Sequence, residues 1–198
     1  MTRMLIKTKK DLHNFLNYEK KLYVKSTKKE LLMRLLFLSN ENILLWKFIK
    51  LLRVLEFHIN NNHKIRSLFL KSKMMKYKKM GLLIPPNTCG KGLHIMHIGS
   101  ILINEKAVIG ENCSIHIDTA IVAGGNDHGA PKIGDRCIIG VGAKIVGNII
   151  IGNYCAIGAG AIVTKDFNED NCTIVGVPAK VINYNGSLNW NKKKEHYD

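Results

Sequence analysis

The chain is 198 residues long and 46% hydrophobic, enough for one buried core plus a smaller appendage without covalent staples. Its five cysteines form no CxxC pair and no charged-then-apolar leader opens the sequence, which argues against a disulfide framework, a metal knuckle or secretion and reads as cytoplasmic. Charge is lopsided: residues 1–80 hold 20 Lys and Arg against 5 Asp and Glu, while residues 81–198 balance at 10 against 10.

The first segment runs from Asp11 to Met80 without proline or glycine. Apolar residues recur at helical spacing, as in Leu31, Leu35 and Leu38 and again in Leu44, Leu45, Phe48, Leu52 and Leu55, so two to four helices are predicted. Breaks are expected at Ser39, Asn40 and Asn42 and at Asn60 to Asn62. The stretch from Glu30 to Ile59 is interrupted by Arg34, Glu41, Lys47, Lys50, Arg53 and Glu56, so it lacks the ~20 apolar residues of a membrane span. Residues 1–80 are therefore read as a basic α-helical domain. Its charge points to an anionic neighbour, such as an acidic polymer or the inner face of a membrane, against the plainer reading of a solvated face. No nucleic-acid motif or aromatic-interleaved basic strip is present, so nucleic acid is not expected.

Near Gly81 the grammar changes to glycine, isoleucine and valine. Ile103, Ile109, Ile115 and Ile121 are six residues apart, and Ile133, Ile139, Ile145, Ile151, Ile157 and Val163 continue in phase. Two positions earlier stand small residues: Ala107, Cys113, Thr119, Cys137, Ala143, Cys155 and Ala161. A fixed short period marks a solenoid. Three hexads close one triangular coil, the aliphatic pointing inward and the small residue fitting a tight corner. Cys113, Cys137 and Cys155 are thus packing residues rather than nucleophiles or ligands. The run from Gly124 to Pro131 keeps phase but puts no aliphatic in its middle slot, so one corner is expected to become a loop, where binding and catalysis tend to concentrate. The fold class read from this pattern is mainly β, a parallel β-helix over residues 81–182, with an N-terminal α-helical domain and a tail at 183–198.

The segments GLHIMHIGSILINEKAVIGENCSIHI, AGGNDHGAPKIGD, IIGVGAKIVGNIIIG, IGAGAIVTKDF and IVGVPAKVI, in this order, resemble successive stretches of the serine acetyltransferases. The resemblance implies a left-handed β-helix, a homotrimer and an active site between neighbouring subunits that uses acetyl-CoA, with no metal. By position it makes His97 the general base and His128 a second active-site histidine. An imidazole with an ordinary pKa near ~6.5 can take the proton of a hydroxyl as it attacks a thioester, with no covalent intermediate. Gly142, Ala143, Ala159 and Gly160 match the narrow steps along which the pantetheine arm lies. Lys165 and Lys180 match basic residues that meet phosphates, and Pro178 matches the turn by the adenine. His94 and His116 are expected in structural or rim roles.

The chain also departs from that family. Met96 stands where the family places an aspartate before the histidine, and no acidic residue occurs between Leu82 and Thr88 to help hold serine. The orienter of His97 is then expected among Glu105, Asp118 and Asp127, or in a carbonyl. The helical domain is shorter and more basic, and the chain does not end in the isoleucine that docks into a cysteine synthase, so that complex is not expected. The run LLIPPNTCGKGLHIMH resembles serine-acetyltransferase-like enzymes of capsule and surface-polysaccharide synthesis. The leading expectation is accordingly a sugar hydroxyl of an anionic polysaccharide as acceptor, with serine as the alternative. A zinc-dependent lyase on the same scaffold lacks a third converging ligand, and a purely binding module leaves His97 and His128 unexplained.

Overall fold

The computed structural model describes residues 5–24, 41–125 and 129–188. Three helices stand among them: α1 (Lys9–Tyr23), α2 (Glu41–Asn60) and α3 (Lys64–Lys79). Helix α1 starts on a capping box in which the Asp11 N–H donates to Thr8 Oγ1 at 3.0 Å and the Thr8 N–H to Asp11 Oδ2 at 2.8 Å. It buries Phe15, Glu19 and Tyr23, one face at four-residue spacing. Helix α2 buries Leu45, Phe48, Ile49, Leu52, Arg53, Leu55 and Glu56, again one stripe. Between α2 and α3 the chain turns at Asn62, with φ 56°, in the asparagine run that predicted a break. Among the described residues, no helix is long and apolar enough to cross a membrane.

The step from helix to solenoid needs Gly81. Its φ is +90°, and a Cβ there would sit 3.0 Å from the Gly99 carbonyl oxygen and the Ser100 Cα. Among the described residues fourteen short strands follow, from β1 (Leu82–Leu83) to β14 (Lys180–Asn183). They lie in three sheets, ordered β1-β3-β6-β9-β12, β10-β7-β4 and β14-β13-β11-β8-β5-β2. All pairings are parallel except β13 (Thr173–Val175) with β14, whose antiparallel turn ends the stack.

The hexad aliphatics form three inward ladders. Ile103, Ile121, Ile145 and Val163 stack in the first sheet, Ile109, Ile133 and Ile151 in the second, and Ile115, Ile139 and Ile157 in the third. All ten are at most 2% exposed, so a branched aliphatic at every sixth position builds the axis of the solenoid core. Partners are 18 residues apart where Lys144 faces Ile162, which is three hexads per coil. They are 24 apart where Ser114 faces Ile138, so the loop after β6 (Thr119–Val122) is an added hexad between the first and second sheets rather than a corner replaced.

The helices close the first coil. Buried residues of α2, α3 and the coils belong to one continuous core, which Tyr23 of α1 joins. Terminal coils expose unpaired backbone, and here side chains satisfy it. Arg53 donates to the carbonyls of Cys89 and Gly90 at 2.9 and 2.6 Å. Glu19 accepts from the Gly92 N–H and Glu56 from the Asn87 N–H. Tyr23 donates to the Leu93 carbonyl and accepts from the Ile95 N–H.

Candidate active site

His97 lies two residues beyond β2 (His94–Ile95), on the edge where the chain turns from the third sheet to the first. Its side chain is 60% exposed, so the imidazole is a surface group and not a core histidine. Its Nδ1 is 3.3 Å from Glu41 Oε2, and Glu41 Oε1 accepts the Ile98 N–H at 2.6 Å. Glu41 is the first residue of α2, where an acid is favoured by the helix dipole.

The carboxylate at His97 therefore comes from the helical segment, not from the expected Glu105 or Asp118. Glu105 lines a groove under α3 with Lys71 and Lys78. The Asp118 carbonyl accepts from Lys144 Nζ. Asp127 and His128 lie outside the described residues. Sequence separation hid Glu41: it is 56 positions before His97, and only its place at a helix break was visible.

Coil register puts other candidates on the same edge as His97. The Gly142 N–H donates to the Ile117 carbonyl and the Gly160 N–H to the Val141 carbonyl, so Ile117, Val141 and Ala159 follow His97 up the stack. With strands ~4.8 Å apart, Val141 lies about 10 Å along the axis from His97. Gly142 and Gly160 have φ of 72° and 66°, and a Cβ on Gly160 would meet nothing within 4 Å. Together with exposed Ala159 they make an open ledge. Ala143 differs: its side chain is fully buried, its N–H donates to Gly140 and its carbonyl accepts from Ala120, so it supports the ledge without lining it.

Lys165, Pro178 and Lys180 are exposed on the last coil. Lys165 Nζ lies 5.6 Å from the centre of the Phe167 ring. His94 is half-buried, edge-on to Tyr23 at 5.5 Å, and the His116 N–H donates to Ile139 in the ladder. The described residues on either side of 126–128 join β6 of the first sheet to β7 (Lys132–Ile133) of the second, a different edge from that of His97. Among the described residues no group of three His, Cys, Asp or Glu is placed to hold a metal ion.

The cysteines pack. Cys113, Cys137, Cys155 and Cys172 stack at one corner, with the Cys113 and Cys137 thiols donating to the Gly134 and Gly152 carbonyls at 3.2 and 3.1 Å. Burial pushes the Cys89 thiol up to about 12.

Comparison with known proteins agrees with the repeat fold. The family described as "Bacterial transferase hexapeptide (six repeats)" matches residues 130–165. The chain is 36% identical over 104 residues to the serine acetyltransferase of Synechococcus elongatus, covering 52% of this chain and 42% of that protein. It is 42% identical over 123 residues to serine acetyltransferase 1, chloroplastic, of Arabidopsis thaliana, covering 61% of this chain and 38% of that one. The chain thus spans less than half the length of these two relatives. Among solved structures, serine acetyltransferase from Brucella abortus in complex with coenzyme A matches with a TM-score of 0.69 at 25% identity, over 90% of this chain and 70% of that one.

These findings correct the polysaccharide expectation. The relatives are serine acetyltransferases, not a capsule branch. Among the described residues, Lys9 and Lys10 of α1 and Lys71, Lys73, Lys76 and Lys78 of α3 are exposed. Residues 130–165 thus carry the bacterial transferase hexapeptide pattern, and the coils of this chain are similar to those of serine acetyltransferases.

Proposed function

We propose that the protein is a serine O-acetyltransferase that uses acetyl-CoA. The observation that carries the reading is the exposed His97 imidazole with Nδ1 against the Glu41 carboxylate, on the edge that also bears the Gly142–Gly160 ledge. The identity to serine acetyltransferases along the coils supports serine as acceptor.

With Nδ1 turned to Glu41, Nε2 is the nitrogen left to act as base. It takes the proton of the serine hydroxyl as that oxygen attacks the thioester carbonyl; the carbon–sulfur bond then breaks and the imidazolium returns the proton to the departing thiolate. The glycines of the ledge give an extended pantetheine arm a surface with little side-chain bulk, and Lys165 and Lys180 supply cations for phosphates, with Pro178 at the adenine end. A left-handed coil and a homotrimer belong to the same proposal. The trimer is supported by topology: His97 lies on the edge between the third and first sheets and the β6–β7 connection on the edge between the first and second, as a site shared between copies would need.

The test is incubation with acetyl-CoA and each of L-serine, D-serine, L-threonine and L-homoserine, with thiol release and product mass measured. Saturable release with L-serine and formation of O-acetylserine are expected. Bound CoA with no turnover of L-serine would overturn the reading.

A further inference from the structure

The geometry points to Glu41 as the positioning residue of His97: its carboxylate fixes the imidazole in the Nδ1–H tautomer and so makes Nε2 the base. A carboxylate at neutral pH has only acceptors, so the 3.3 Å contact requires Nδ1 to carry the hydrogen. Both side chains are substantially exposed, 60% for His97 and 41% for Glu41, and an exposed ion pair alone is a weak constraint. The constraint comes from the second oxygen. Glu41 Oε1 is held at 2.6 Å by the N–H of Ile98, the residue next to His97. The carboxylate is thereby registered to the histidine's own backbone, and one rigid group spans the amide and the ring.

The arrangement supplies from a helix what Met96 cannot supply from the strand. It also ties the helical segment to catalysis: α2 buries Arg53 and Glu56 against the first coil, and that docking carries Glu41, at its first residue, to the edge of the solenoid.

Glutamine at this position separates positioning from mere tethering. In Glu41→Gln the amide oxygen can still accept the Ile98 N–H, but the group facing Nδ1 becomes an NH2 donor. The ring must then accept at Nδ1, which places the hydrogen on Nε2 and removes the base, as occurs when the orienting aspartate of a serine-protease triad is replaced by asparagine. Aspartate keeps acceptor chemistry with a shorter reach.

The experiment is nitrogen-15 NMR of imidazole-labelled full-length protein at pH 8.5, the His97 resonances assigned by their loss in His97→Asn, alongside kcat and KM for acetyl-CoA. In the wild type His97 is expected as the Nδ1–H tautomer, in Glu41→Gln as Nε2–H with kcat lowered about 10- to 100-fold and KM for acetyl-CoA unchanged, and Glu41→Asp is expected to recover part of kcat. The same His97 tautomer in wild type and Glu41→Gln would overturn the proposal. The inference rests on His97 acting as base, but the tautomer reading requires no acceptor, so its failure is distinguishable from failure of the serine reading.

Discussion

Arg53 meets Glu19 at 2.7 Å with both side chains shut off from water, and Glu56 joins the pair at 3.0 Å. Burial works against the Arg53 charge, but the two carboxylates outweigh it and hold the guanidinium well above its usual range. Burial conversely raises the Glu56 carboxyl, against the attraction of Arg53. The cluster pins residues 87–93 of the first coil to α1 and α2. Arg53→Met would leave two buried carboxylates facing one another and two carbonyls without their donor. Chemical denaturation is expected to show a loss of about 3–5 kcal/mol. The loss should shrink at acidic pH, where the stranded carboxylates take up protons.

Tyr23 bridges one strand of backbone with a single hydroxyl, donating to Leu93 at 2.9 Å and accepting from Ile95 at 2.7 Å. Tyr23→Phe keeps the ring and strands both backbone groups. A cost of about 1–3 kcal/mol is expected in urea unfolding. An unchanged midpoint would mean that water replaces the hydroxyl.

The Cys89 and Cys172 thiols give a pH dependence with a definite sign. Cys89 is pushed from 9.0 to about 12 by burial and Cys172 to about 11 by the same cause. A raised folded pKa contributes stability below the unfolded value that is lost as pH climbs through the folded one. Stability should therefore fall between pH 9 and 12, and Cys89→Ala should remove part of that slope. A thiol-reactive disulfide reagent at pH 8 is expected to modify the five cysteines only after denaturation; fast reaction of native protein would contradict their packing role.

The solenoid was legible because its physics is local and repeated: every inward slot demands a branched aliphatic, and Ile103 to Val163 fill the slots in one phase. The helix break at Asn60 to Asn62 was legible for a similar reason, since asparagine tolerates the φ of 56° found at Asn62. What closes the solenoid was not legible. Glu19, Tyr23, Arg53 and Glu56 look like ordinary surface residues of amphipathic helices until the first coil is docked on them. Glu41 was missed for the same reason, because nothing periodic links position 41 to position 97. The net charge misled, since a count of lysines does not say which way they face.

The most direct test is the rate of serine-dependent CoA release by His97→Asn beside the wild type, with CoA affinity measured in parallel. A fall of about 10²- to 10⁴-fold in kcat/KM for serine at unchanged CoA affinity is predicted. Equal rates in the two proteins would contradict His97 as the base and, with it, the proposed chemistry of the site.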